Sequence, residues 1–189
     1  RILNTYDFDK TIFYPDSSVT FIKHCLREYP GIMLKNFPGV IPQAVAYAIK
    51  GGSAAKLKEK LFAFLKDIPN IDSEVERFWA EHMDGIGEWY LRQKKDDDVI
   101  ISASPEFLLE PVCRELRVDL IGTRMDKHSG RIDGENCHGK EKVRRFYERY
   151  PDGHSDEFYS DSMSDLPMAE ISDRAFMLKK RVITPWPNK

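Results

Sequence analysis

The sequence has few cysteines, little net charge and no long apolar run. Its three cysteines, Cys25, Cys113 and Cys137, are odd in number and widely spaced, so they do not suggest a disulfide framework. The 29 basic and 31 acidic residues leave a net charge of −2, which gives no global electrostatic case for binding nucleic acid or an anionic membrane. No apolar stretch approaches the roughly 18 residues of a membrane span, and no signal-peptide pattern opens the chain. We therefore expect a cytoplasmic protein without nucleic-acid or membrane partners.

Two carboxylates and a hydroxyl follow the short apolar segment at the start of the chain, at Asp7, Asp9 and Thr11. On an extended strand, residues two apart point to the same side. Where the strand ends, both acids can converge with a backbone carbonyl on one divalent cation, because hard ions such as Mg²⁺ take oxygen ligands. This pattern suggests phosphoryl transfer, in which one carboxylate attacks phosphorus and the other protonates the leaving group. On its own, the same pattern also fits a strand-end turn with solvated acids.

Three further segments carry groups suited to phosphate chemistry. Residues 98–109 predict a buried strand that delivers Ser102 at its end, followed by a helix start, where hydroxyls and free N–H groups bind phosphate. Residues 139–147 open a second helix with Lys140 and Lys142 near its start. Residues 157–165 predict a short strand that ends in Asp161 and Asp165, which suits the completion of a metal shell.

In this order, the four segments resemble the four motifs of the haloacid dehalogenase superfamily, specifically its phosphoserine-phosphatase-like branch, subfamily IB. The resemblance spans nearly the whole chain, from Asp7 to Asp165. It implies that Asp7 is the nucleophile and Asp9 the general acid and base. It also implies a Mg²⁺ ion held by the Asp7 carboxylate, the Asp9 backbone carbonyl and Asp161, with Asp165 in support. The phosphoryl group would be bound by four residues: Thr11, Ser102, Ala103 and Lys142.

The position of the lysine depends on spacing. The family segment that looks closest places its lysine three residues after the glycine, here Gly139, which selects Lys142. Lys140 remains a competitor, and one of the two is expected to lie on a solvated helix face, as most lysines do.

Substrate choice would belong to the inserted region. Asp16 stands seven residues after Asp9, where the phosphoserine phosphatases carry a glutamate that contacts the substrate's amino group. The arginine that those enzymes use for the serine carboxylate is not evident near Lys60 and Leu61, and lysine does not replace arginine in bidentate recognition. We therefore expect a small phosphorylated metabolite, with phosphoserine disfavoured as the main substrate.

The stretch between the first two motifs has a helical pattern. Residues 18–29 fit an amphipathic helix that Pro30-Gly31 ends, and further helices are predicted at about 42–50, 53–66 and 73–94. Ser53 and Ser73 are predicted N-caps. After the second motif, residues 106–116 predict a helix, while 119–125 and 130–135 predict two short strands.

Alternating strands and helices predict an α/β fold, a Rossmann-like parallel sheet with covered faces. We assign residues 1–14 and 95–189 to this core and residues 15–94 to a helical cap, which the resemblance identifies as a C1 cap. The function expected is Mg²⁺-dependent hydrolysis of a small phosphomonoester through an aspartyl-phosphate. Three alternatives stay open: a phosphotransferase with the same site, a dehalogenase, and a non-catalytic binding protein on this fold. Of the two enzymatic alternatives, the dehalogenase is the less favoured, because halide displacement does not require an acid and base such as Asp9.

Overall fold

A mostly parallel sheet forms the centre of the protein, seen in a computed structural model that describes residues 1–51 and 53–187. The described residues contribute six strands in the spatial order β3-β2-β1-β4-β5-β6. The strands are β1 (Ile2–Tyr6), β2 (Val99–Pro105), β3 (Asp119–Thr123), β4 (His154–Ser160), β5 (Ser172–Lys179) and β6 (Val182–Pro185). All neighbouring strands pair in parallel except β6, which is antiparallel to β5. The predicted α/β class with a parallel sheet is confirmed.

Apolar side chains cover both faces of this sheet. Along β2, Ile100 belongs to one buried cluster, and Val99 and Ile101 belong to a second cluster on the opposite face. Successive residues of a strand point to opposite faces, so a strand buried on both sides is a continuous apolar run. The continuous apolar run at residues 99–101 therefore predicts a strand from the sequence alone.

The helices fall into two groups. Between β1 and β2 lie α1 (Ser17–Glu28), α2 (Pro30–Asn36), α3 (Val40–Lys50), α4 (Ala54–Leu61), α5 (Ile71–His82) and α6 (Glu88–Gln93). The others are α7 (Glu106–Leu116), α8 (Lys140–Arg149) and α9 (Leu166–Ile171). A helical insertion therefore follows β1, while the exact division at residues 14/15 and 94/95 stays a prediction. None of the helices in the described ranges is both long and apolar enough to cross a membrane.

The insertion differs from its predicted helices at three places. Pro30 begins α2 instead of only ending α1, because proline fits the first turn of a helix, where its missing N–H is not needed. The single helix predicted at 73–94 is two helices, since Ile86 leaves the helical path to form an isolated bridge with Phe13. The predicted N-cap at Ser53 is confirmed, but Ser73 caps nothing: its backbone N–H donates to the side chain of Asn70, the actual cap of α5.

The strand predicted at 130–135 is wrong. Within the described residues, this segment contributes only an isolated bridge between Ile132 and Met125. Gly130 and Gly134 have positive φ angles of 73° and 83°, so the backbone turns twice within five residues and cannot stay extended. A Cβ atom at Gly130 would lie 2.5 Å from the carbonyl oxygen of Phe62, so this loop packs closely against the end of α4.

Candidate active site

The predicted site residues converge at the carboxyl ends of the central parallel strands. Asp7 follows β1, Ser102 lies in β2 and Asp161 follows β4, and these strands are neighbours in the sheet. Parallel α/β sheets bind ligands at this edge. A cavity of about 310 Å³ opens there, and eight of the predicted site residues line it: Asp7, Asp9, Asp16, Ser102, Ala103, Lys142, Asp161 and Asp165. Thr11 and Lys140 do not line this cavity.

Lys142 joins the first motif to the fourth. Its Nζ donates to Asp7 Oδ1 at 2.7 Å and to Asp165 Oδ2 at 2.8 Å, with 2% of the side chain exposed. Burial opposes the charge of Lys142, but the carboxylates of Asp7 and Asp165 outweigh it and raise its pKa above the ordinary value. Lys140, two residues earlier on α8, is exposed and lies against a different cavity beside His138. The structure therefore brings Lys142, and not Lys140, to Asp7.

Asp7 is the most enclosed carboxylate on the β1 side of the cavity. Burial raises its pKa to about 7, against the lowering effect of the Lys142 ammonium, and the Asp165 carboxylate raises it further. The Thr11 hydroxyl donates to Asp7 Oδ2 at 3.3 Å and accepts the backbone N–H of Asp161 at 3.1 Å. Thr11 thus links Asp7, the candidate nucleophile, to the fourth motif. To donate a hydrogen bond to a phosphoryl group instead, the Thr11 hydroxyl would have to break its hydrogen bond to Asp7.

Asp9 is held by groups from both the sheet and the insertion. Its Oδ2 accepts the Ser104 hydroxyl at 2.5 Å, and its Oδ1 accepts the backbone N–H of Ser17, the first residue of α1, at 2.6 Å. Burial raises the pKa of Asp9, and the nearby Asp16 carboxylate adds to the rise. Sequence reasoning missed Ser104, although its spacing of two from Ser102 on a strand gave a signal, because such residues share a face.

Lys58 enters the site from α4. Its Nζ donates to the Ala103 carbonyl oxygen at 2.7 Å and to Asn136 Oδ1 at 2.5 Å. Burial lowers the pKa of Lys58 to about 8, although the Asp9 and Asp16 carboxylates act against that change. The sequence shows three lysines at alternate positions of α4, Lys56, Lys58 and Lys60, and offers no reason to choose the middle one.

A second cavity of about 290 Å³ continues from the site between α1 and α4. Asp9, Asp16 and Lys58 line its polar end, and the remainder is mainly apolar: Val19, Ile22, Tyr47, Leu57, Leu61 and Phe62. Asp16 borders both cavities and also caps α1, because its Oδ1 accepts the Val19 N–H at 2.9 Å. A leaving group attached to a phosphoryl group beside Asp7 would have this second cavity available.

The oxygen atoms around the first cavity fit a Mg²⁺ ion. Asp165 Oδ1 is buried, and no hydrogen-bond partner for it exists among the described residues. Burial raises the pKa of Asp161, with the Lys10 ammonium acting against it. No cluster of three or more His, Cys, Asp or Glu side chains suited to a metal is found in residues 1–51 and 53–187. The expected shell does not require one, because it uses two carboxylates, Asp7 and Asp161, with a backbone carbonyl from Asp9.

Comparisons with known proteins identify a similar sequence and similar folds. A protein named CicA from Caulobacter vibrioides is 30% identical over 195 residues, which covers 91% of this chain and 83% of that protein. A protein of unknown function from Bordetella pertussis Tohama I has a TM-score of 0.72 and 20% identity, over 93% of this chain and 88% of that one. A structure titled phospho-aspartyl intermediate analogue of phosphoserine phosphatase has a TM-score of 0.54 and 16% identity, over 92% and 84%.

The two structural likenesses show a shared fold, including the fold of phosphoserine phosphatase. A family model described as haloacid dehalogenase-like hydrolase matches residues 5–170, which include all four sequence motifs and the whole helical insertion. The chain therefore belongs to the haloacid dehalogenase-like hydrolases.

Proposed function

We propose that this hydrolase is a Mg²⁺-dependent phosphatase that cleaves a phosphomonoester through a phosphorylated Asp7. The observation that carries the proposal is the position of Lys142. Its Nζ donates a hydrogen bond to Asp7 Oδ1 at 2.7 Å, at the carboxyl ends of the parallel strands. A buried ammonium beside a carboxylate is suited to neutralising the oxygens of a phosphoryl group as that carboxylate attacks. A phosphoserine phosphatase of similar fold, solved as a phospho-aspartyl intermediate analogue, supports the same chemistry.

The reaction proceeds in two in-line steps. Asp7 forms a bond to phosphorus while Asp9 gives its proton to the departing alcohol oxygen. The raised pKa of Asp9 favours the protonated acid that this step needs. Asp9 then takes a proton from water, which attacks the phosphorylated Asp7 and releases phosphate. Lys142 and Ser102 orient the phosphoryl oxygens, and Mg²⁺, when held by Asp7, Asp9 and Asp161, would add positive charge beside them.

We further propose that the reaction takes place in the cytoplasm. Cys25, Cys113 and Cys137 are buried free thiols, which suits a reducing compartment.

The test measures phosphate release from p-nitrophenyl phosphate with Mg²⁺ and with EDTA, for the wild type and for Asp7→Asn. We expect Mg²⁺-dependent turnover that Asp7→Asn removes almost completely, since an amide cannot attack phosphorus. Asp173→Asn, at an exposed aspartate paired with His154, is the matched control and should keep full activity. A folded Asp7→Asn variant that retains more than a small fraction of turnover would refute Asp7 as nucleophile.

A further inference from the structure

The insertion exposes an unusual number of large apolar side chains on one short segment. Of the fifteen such side chains exposed in the described residues, six lie between Leu34 and Ile49. None of residues 40–49 is buried, although nine of these ten are Val, Ile, Ala, Tyr or Pro and only Gln43 is polar. A helix that is apolar all round is ordinarily enclosed by protein or lipid. Some partner is therefore needed to cover α3.

Four of these side chains form a stripe. Phe37, Ile41, Val45 and Ile49 recur at intervals of four residues, which places them along one side of the helical path. They are 58%, 52%, 50% and 76% exposed, and Leu34 at 68% precedes them. We call these five side chains the docking face: Leu34, Phe37, Ile41, Val45 and Ile49.

The charge of the same segment identifies the kind of partner. From Tyr29 to Leu57, the sequence has no aspartate or glutamate and three lysines, in a chain that otherwise carries more acid than base. Lys35 is 70% exposed, and its one acidic neighbour, Asp67, lies beyond the segment at 3.4 Å. Apolar side chains accompanied only by lysine are typical of segments that lie on anionic lipid surfaces. A second copy of the chain would bring the same positive charge, which disfavours it as the partner.

The helix that carries most of the docking face, α3, borders the proposed reaction site. On another side of α3, Tyr47 lines the apolar second cavity, whose inner end contains Asp9 and Lys58. A molecule seated in that cavity with its phosphate beside Asp7 would extend toward α3.

We propose that the docking face binds an anionic lipid surface, and that the substrate is the phosphomonoester head group of an amphiphile in that surface. The second half of this statement rests on the proposed phosphatase activity. The sequence-based expectation of a soluble metabolite and no membrane partner relied on the average charge and on the lack of a membrane span. Neither the average charge nor the lack of a membrane span determines whether one local segment binds a lipid surface.

The first experiment is flotation of the intact protein with vesicles of phosphatidylcholine alone and of phosphatidylcholine mixed with phosphatidylglycerol. We expect the protein to float with the mixed vesicles and much less with the neutral ones. The double variant Ile41→Asp, Val45→Asp should lower the partition coefficient at least about tenfold, because it removes two apolar side chains and adds two like charges. Val182→Asp is the matched control, since Val182 is 59% exposed and lies far along the chain, in β6; it should float like the wild type.

Hydrolysis assays separate this inference from the proposed function. Phosphatidic acid in mixed vesicles should be hydrolysed faster than glycerol 3-phosphate, and the double variant should lose that preference while keeping its rate on p-nitrophenyl phosphate. Wild-type protein that stays with the soluble fraction in all vesicles would overturn the docking face. The same holds for a wild-type dimer that the double variant converts to monomer without any vesicle binding. Flotation without turnover of any phosphomonoester would refute the proposed phosphatase and leave lipid docking in place.

Discussion

Two lysines face the site from different helices, the buried Lys142 from α8 and the partly buried Lys58 from α4 of the insertion, and their pKa values shift in opposite directions. Burial opposes the positive charge of both. Lys142 contacts the carboxylates of Asp7 and Asp165, so its pKa rises, whereas Lys58 contacts a carbonyl and an amide oxygen, so its pKa falls to about 8. Whether a buried lysine stays charged therefore depends on the formal charge of its nearest partners.

The opposite pKa shifts imply different roles for Lys142 and Lys58. Lys142 lies between the carboxylates of Asp7 and Asp165, and its raised pKa keeps it charged at neutral pH, as a fixed electrostatic group requires. Lys58 reaches from α4 to the Ala103 carbonyl oxygen, so it links the insertion to the second motif by one contact. A group with a pKa of about 8 can lose its proton near neutral pH, and this link can weaken with it.

Removal of Lys142 is the strongest test of this contrast. Lys142→Met keeps the length of the side chain but leaves Asp7 and Asp165 buried without their shared cation. We expect kcat to fall by about 10²–10³-fold, the usual cost of losing a preorganised group that stabilises transition-state charge. Steady-state assays on p-nitrophenyl phosphate measure it. Lys140→Met, at the exposed lysine on the same helix, should change kcat little, and a larger loss in that variant would reverse the assignment.

Lys58→Met should have a smaller and pH-dependent effect. In the wild type, kcat/KM should fall as pH rises through about 8, because Lys58 loses the proton with which it holds the Ala103 carbonyl oxygen and attracts an anionic substrate. Below that pH, the variant should have a kcat/KM about ten- to a hundredfold lower than the wild type, since a contact of this kind with a charged group contributes about 1.5–3 kcal/mol.

The pH profile of kcat/KM reports the groups of the free enzyme, and the fall near pH 8 should be absent from Lys58→Met. The charged or titratable groups that act on Lys58 are Asp9, Asp16, Cys137 and Lys142. Lys56→Met, two residues earlier on α4 and exposed, should retain the wild-type profile. An unchanged fall in Lys58→Met would assign the titration to another group.

Much of the sheet side of the site could be predicted from the sequence. Asp7, Asp9 and Asp161 follow short apolar runs, and strands of one parallel sheet present their carboxyl ends at a common edge, so local pattern and topology together brought them to one place. Placing the aspartates needed only the local chain and the direction of a strand. Lys142 was selected by the family resemblance, in which the lysine stands three residues after the glycine that corresponds to Gly139.

The part of the site that the insertion forms was harder to predict from the sequence, for a physical reason. Lys58 differs from Lys56 and Lys60 only in which face of α4 meets the sheet, and that face is set by tertiary packing. The break in the helix predicted at 73–94 depends on Ile86 pairing with Phe13, sixty and more residues away in the chain. Long-range contacts of this kind override local helical periodicity and leave no trace in it.

A buried carboxylate next to Lys142 on α8, Glu141, extends the contrast to an acid and gives the smallest expected effect. Glu141 accepts hydrogen bonds from Arg144 and from Arg145, whose Nε lies 2.9 Å from Glu141 Oε1. The Arg144 hydrogen bonds are the main cause that lowers the pKa of Glu141 from about 4.5 to about 2, although burial acts against it. Because the folded-state pKa is the lower one, the stabilisation is fully present above pH 4.5 and is lost as pH falls toward 2.

Glu141→Gln should therefore lower the free energy of unfolding at pH 7 by about 1–2 kcal/mol, less than the pKa change alone implies because Arg144 is mostly exposed and its contribution is screened. The deficit should shrink as pH falls from 4.5 toward 2, where the wild-type carboxylate becomes protonated and resembles the amide. Urea unfolding of both proteins across this pH range measures it. Glu148→Gln, at an exposed glutamate paired with the same Arg144, should cost less at every pH, because water already screens that pair. If the two substitutions lowered the free energy of unfolding equally, burial would add nothing to the ion pair. The contrast drawn between Lys142 and Lys58 from their partners would then lose its basis.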